Sequence, residues 1–354
     1  MRVGSVCTGY GGLEIALEAL FENVELMWVA DTSKAASQLL GARYGVPNLG
    51  DIRAVDWSAV SPVEVLVGGI PCQPYSIAGT QKGEQDERDL IPAFIEAVRV
   101  LRPKLIVVEN VPGFRKGGLP RLVGALAEMG YDAQWTSVRA DEAGAPHIRE
   151  RTFVAATYAN GQPWQQWRRK ATRDQESRGA WSDTGGSSGV HALPTPTVAL
   201  ATGGQRSRSG TRKGEKLLSG IAIELLPTPN TGQSPNGHGM RGGAWGNGRQ
   251  SGKDLTALAG SGHWGKYTAA IEQWEGVLGR TAPAPTEIGP KGNPRLAAPF
   301  VEWMMGLGRG WITDFAFHRG EIFTLLGNGV VPQQAARAIG ELIDGWEEDC
   351  RVAA

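Results

Sequence analysis

Cysteine is scarce in this chain: three among 354 residues, at Cys7, Cys72 and Cys350. Three scattered thiols make neither a disulfide framework nor a zinc site. No group of His, Cys, Asp and Glu stands at metal-ligand spacing, so no metal is expected. No apolar run approaches the roughly 20 residues that a membrane-spanning helix requires. Residues 1–7 lead into a strand-like pattern without the charged and apolar regions of a secretory signal. A reducing, cytoplasmic setting and no membrane contact are therefore expected. Net charge is missing too, 36 basic residues balancing 36 acidic ones, so charge alone announces no polyanionic partner.

At 41% hydrophobic residues the chain has enough apolar surface for a sizeable core. In residues 1–158 short apolar runs alternate with helical periodicity. Runs at 2–6, 26–30, 63–67, 105–108 and 153–156 read as buried strands, and 13–21, 35–44, 90–101 and 119–129 read as the helices between them. Such alternation predicts a doubly wound α/β fold, Rossmann-like, with a mostly parallel sheet. Ligands in such sheets bind at the carboxyl ends of the strands, so the chemistry is sought in the loops that follow them.

Composition changes over residues 159–294. Gly, Ser, Thr, Pro, Gln and Arg dominate, and basic residues collect from Arg168 to Lys253. Six tryptophans (Trp164, Trp167, Trp181, Trp245, Trp264 and Trp274) argue against a bare linker and for a small, loop-rich domain that orders partly on its partner. Apolar periodicity returns over 295–354, with a helical pattern at 300–307, a strand-like run at 323–326 and a helix from Pro332 to Trp346. This last part is expected to complete the first domain, which makes the middle region an insertion.

Three loops carry chemistry. The first strand runs into Cys7-Thr8-Gly9-Tyr10-Gly11-Gly12, where glycines allow a sharp turn and close approach of a ligand to the backbone. It lacks the third glycine of a dinucleotide fingerprint, Glu14 standing there instead. Asp31 ends the second strand and suits ribose hydroxyls. Asp51, read at a third strand position, suits an adenine amino group, with Ile52 packing on the ring. The third loop, Gly68-Gly-Ile-Pro71-Cys72-Gln73-Pro74-Tyr-Ser76-Ile-Ala-Gly79, holds a cysteine between two prolines that stiffen its backbone. A thiol is strongly nucleophilic even as a small thiolate fraction.

Pro71-Cys72-Gln73-Pro74 with Ser76 and Gly79 resembles the nucleophile motif of the cytosine-5 DNA methyltransferases, bacterial or phage type. Glu109-Asn110-Val111, His147-Ile-Arg149-Glu-Arg151 and Gly327-Asn328-Gly329-Val330 resemble three further motifs of that family, in order and at similar spacing. The resemblance covers roughly residues 1–158 and 290–345, and residues 159–294 sit where the family carries its target-recognition domain. It implies a fold of the S-adenosyl-L-methionine-dependent methyltransferase type, with transfer of a methyl group to C5 of a flipped cytosine in a specific double-stranded DNA sequence. The products are methylated DNA and S-adenosyl-L-homocysteine.

By the same resemblance Cys72 attacks C6, Glu109 acts at N3, Arg151 holds O2 and Arg149 supports the active-site geometry. Cys7, Thr8, Gly9, Gly11, Gly12, Asp31, Asp51, Ile52, Pro71, Asn328 and Val330 hold the cofactor. Gln73, Ser76, Asn110 and Val111 face the substrate. The chain departs from the family at Cys7 (usually Phe), Asp31 (usually Glu), Ile70 (usually Phe) and His147 (usually Gln). A monomer is expected; the target sequence and any companion restriction endonuclease are not legible. The alternatives are a cytosine-5 methyltransferase acting on transfer RNA, against which the long Arg-rich insertion counts, and a catalytically silent DNA-binding protein, against which Cys72, Glu109 and Arg151 count.

Overall fold

A computed structural model describes residues 1–71, 89–158, 163–168, 191–198, 215–225, 264–290, 292 and 294–353. The first domain is built on a six-stranded sheet ordered β2-β1-β3-β4-β6-β5. Its strands are β1 (Arg2–Val6), β2 (Glu25–Ala30), β3 (Val65–Gly69), β4 (Leu105–Asn110), β5 (Tyr131–Arg139) and β6 (Glu150–Tyr158). The first four pair in parallel, and their apolar runs are buried because helices cover both faces. Residues 153–156 were expected to join this parallel set. Instead β6 runs antiparallel to β4 and β5, with Glu109 opposite Phe153. β5 has no counterpart among the expected strands.

The connections are α1 (Gly12–Leu20), α2 (Lys34–Tyr44), α3 (Ile91–Leu101) and α4 (Gly118–Glu128). Past the middle region come α5 (Leu218–Leu225), α6 (Thr268–Leu278), a two-stranded ribbon of β7 (Thr286–Ile288) and β8 (Pro294–Leu296), then α7 (Ala298–Met304), α8 (Arg319–Asn328) and α9 (Pro332–Ala353). The strand expected at 323–326 lies inside α8. A four-residue apolar run carries no period long enough to separate the two readings. The helix signal sits upstream: the His318 ring accepts from Gly320 N–H at 3.1 Å, and Glu321 accepts from His318 N–H at 2.8 Å, a capping box.

Three cores hold the molecule. One packs α1 and α9 on one sheet face, and another packs α3 and α4 on the other. The third gathers α2, α5, α6, α7 and α8 around Trp274 and Trp303. Trp164 and Trp167, expected in the inserted region, belong to the first of these: Trp164 is fully buried and stacks on Trp346 of α9 at 5.2 Å. The strand order reverses between β1 and β3. There the two crossovers leave in opposite directions and open a crevice at the carboxyl ends.

Candidate active site

That crevice holds a cavity of about 340 Å³. Its floor is the glycine loop. Cys7 leaves β1 with φ of 53°, its N–H donating to the Ala30 carbonyl at 2.7 Å. Gly9 follows at φ 61° and donates its N–H to Asp31 Oδ2 at 2.9 Å. Gly11, at φ 89°, opens α1, and Thr8 completes the turn by accepting from Gly11 N–H at 3.0 Å. Asp31 also accepts from Ser33 N–H at 2.8 Å, and Asn48 grips its backbone from both sides.

Asp51 does not end a strand: β3 begins only at Val65. It sits in a turn after Asn48, which makes one isolated bridge to Val29. Arg53 engages both of its oxygens, at 2.6 to 3.1 Å, and holds its carboxyl below the usual range. Neighbouring Ile52 is buried against the cavity.

The opposite side comes from β3, β4 and β6. Glu109, next to last in β4, is almost fully buried, with Oε1 2.8 Å from Arg151 Nε. Burial pushes the Glu109 carboxyl up, against the pull of Arg151 and Arg149. Asn110 Nδ2 donates to the Ile70 carbonyl at 3.2 Å and its Oδ1 accepts from Val111 N–H at 2.9 Å, so one side chain fixes the start of the cysteine loop. Pro71, Asn110 and Val111 line the cavity; Cys72, Gln73 and Ser76 lie outside the described residues.

The remaining wall is residues 327–330. Gly12 lies so close that a Cβ on it would meet the Val330 carbonyl at 2.4 Å, and Tyr10 Oη donates to that carbonyl at 2.6 Å. Arg149 does not line the cavity. It is buried behind this wall, donating to the carbonyls of Gly327 at 3.1 Å, Gly329 at 2.7 Å and Pro196 at 3.2 Å. Its place is structural support, while Arg151 alone of the two faces the cavity.

A family model of the C-5 cytosine-specific DNA methylases matches residues 1–200. The chain belongs to that family.

Similar members include the type II methyltransferase M.NaeI of Lentzea aerocolonigenes, 32% identical over 179 residues, which are 47% of this chain and 42% of that protein. The orphan methyltransferase M.SPRI of Bacillus phage SPR is 32% identical over 162 residues, 44% of this chain and 37% of its own length. The chain thus spans about half the length or less of these relatives. Among solved structures, the Entamoeba histolytica methyltransferase EhMeth superposes with TM-score 0.55 at 14% identity, covering 98% of both chains. Spodoptera frugiperda DNMT2, as a triple mutant, gives 0.52 at 15%, over 97% of this chain and 99% of that one. At such identity the likeness is one of fold: an α/β methyltransferase fold of the Rossmann-like kind.

Three residues of this methylase site escape sequence reading. The side chains of Tyr10 and Asn48 brace the site by bonding the backbone of Val330 and Asp31, contacts that no motif reveals. Glu14 lines the cavity from the first turn of α1, fully buried, where an acid on an amphipathic helix reads as solvent-facing. His147, noted only as a departure from the family, is also fully buried, and burial with the nearby arginines pulls it down to about 3, so the ring is neutral.

Proposed function

We propose that this methylase transfers a methyl group from S-adenosyl-L-methionine to C5 of a flipped cytosine in double-stranded DNA, through a covalent bond from Cys72 to C6. The observation that carries it is Glu109: a carboxyl with raised proton affinity, paired with Arg151, facing the same cavity as the glycine loop. Cytosine C5 is a poor nucleophile until a thiolate adds at C6 and moves electron density onto it. A protonated carboxyl at N3 and a guanidinium at O2 stabilise that density, and the 2.8 Å contact between Glu109 and Arg151 holds both side chains in place beforehand. Asn110 and Val111 shape the base side of the cavity, joined on this reading by Gln73 and Ser76 of the cysteine loop.

The cavity suits the methyl donor. Its volume lies in the range of small-ligand sites, a Cβ on Gly9 would meet nothing within 4 Å, and buried Ile52 gives an apolar face. Cys7, Thr8, Gly9, Gly12, Asp31, Asp51, Pro71, Asn328 and Val330 would hold it, with Gly11 setting the turn. The donor supplies an electrophilic methyl on a sulfonium. Burial and the nearby Asp31 and Asp51 push the Cys7 thiol up to about 12, so it stays protonated and leaves nucleophilic work to Cys72. On this reading the partner is duplex DNA, bound by a monomer in the cytoplasm through the Arg-rich region 159–294, with no metal.

Bisulfite sequencing of DNA from cells expressing the chain is the test. Protected cytosines in one sequence context, lost in Cys72→Ala, are expected. Unprotected DNA together with methyl incorporation into RNA would overturn the reading.

A further inference from the structure

Glu14 has no part in the chemistry above, yet it is an unusual group. It is 1% exposed, and neither carboxyl oxygen is held by a well-formed hydrogen bond, although the Ser5 hydroxyl and its own backbone N–H act on it. An acid in the first turn of a helix is ordinarily favoured as the anion by the helix dipole. Here burial outweighs that and pushes the carboxyl up to about 7, and the acidic neighbours Glu18 and Asp31 add to the shift. The Ser5 hydroxyl and the backbone N–H of Glu14 itself oppose it only in part. From α2 the Tyr44 hydroxyl approaches, also buried and without a partner.

The charge around it is one-sided. Asp31, at the same end of the cavity, is raised as well, again by burial. Among the described lining residues Arg151 is the one basic side chain; it lies against Glu109, and no cation figures among the charges that act on Glu14 or Asp31. A cavity edge with two acids short of a counter-charge is matched to a cation.

We infer that Glu14 is a binding residue for the positive charge of S-adenosyl-L-methionine, releasing its proton to solvent as the cofactor enters. This rests on the cofactor reading given above. The donor carries two cations, a sulfonium and an ammonium, against one carboxylate; its product keeps only the ammonium. The anion formed at Glu14 then sits beside a fixed positive charge in a poorly solvated place, where such a contact counts for more than in water.

The test is calorimetric binding of S-adenosyl-L-methionine and of S-adenosyl-L-homocysteine at pH 6.5, in two buffers of different ionisation heat, for the wild type and Glu14→Gln. The difference between the two proteins isolates the proton that belongs to Glu14. Expected is a proton released by the wild type and absent from the variant's balance, with the variant's affinity for the donor at least about tenfold weaker at pH 8. Release with both ligands assigns the contact to the ammonium, and release with the donor alone assigns it to the sulfonium. Should Glu14→Gln not fold, Glu14→Met replaces it, keeping volume without a titrating head. If both ligands bind and neither proton count nor affinity differs between wild type and variant, the inference is wrong. If neither ligand binds the wild type, the cofactor reading itself has failed and takes this one with it.

Discussion

Two demands meet on the Glu109 carboxyl. Burial favours the neutral acid, while Arg151 at 2.8 Å favours the anion, and burial wins. The group therefore keeps its proton to higher pH than an ordinary carboxyl, and methyl transfer should decline on the alkaline side as that proton is lost. Glu109→Gln keeps the shape and removes the titrating proton. Single-turnover transfer rates should fall by about 10²- to 10⁴-fold, with cofactor affinity changed little; an equal rate would remove Glu109 from the reaction. His147 gives a second residue-level expectation, on stability. Its pKa lies at about 3 when folded against 6.5 for a free side chain. The unfolded chain therefore binds the extra proton first, and stability present above pH 6.5 is lost as pH falls towards 3. His147→Gln should blunt that loss. Urea unfolding at pH 7 and pH 4 checks it: the wild type should lose more stability between the two than the variant does, by an amount on the order of 2 to 3 kcal/mol.

At the scale of elements, the start of α1 is closely fitted against the 327–330 wall of the cavity. Gly12→Ala would bring a methyl to 2.4 Å from the Val330 carbonyl. One side must shift, at a cost of about 1 to 3 kcal/mol. The melting temperature should fall and the donor should bind less tightly. An unchanged melt would mean that the wall yields freely. The same scale explains what the sequence revealed. Strands β1 to β4 are apolar runs, mostly buried, so each was legible to within two residues. β5 was not: it is an edge strand, as β2 is, but only two of its nine residues are buried, and Trp135 stands 50% exposed on it. Its partner β6 was found, but its antiparallel sense depends on β5. Of the motif residues, Pro71, Glu109, Asn110, Val111, Arg151, Asn328 and Val330 line the cavity, and they stand out in the sequence because they sit at or beside the ends of strands and helices. Glu14 was not, because one acid in a helix says nothing of which way that helix faces.

For the whole molecule, the boundary drawn by composition at residue 159 is not where packing ends. Trp164 and Trp167 carry the first core on to Arg168, whose backbone bridges Phe21 and whose side chain pairs with Asp344 of α9. Trp164→Ala should cost about 3 to 5 kcal/mol, measured by denaturant unfolding, although the residue lies in a stretch that reads as an insert. A loss under 1 kcal/mol would show that the stack with Trp346 is incidental. The glycine loop and its far wall are joined by a hydrogen bond spanning 320 positions, from Tyr10 to Val330. During synthesis the half with Cys72 is made long before its complement. A nascent polypeptide stopped between Arg151 and Gly327 carries Cys72, Glu109 and Arg151 and still has an open-sided cavity. Competence thus arrives in one late step, and a prematurely terminated copy is a silent one.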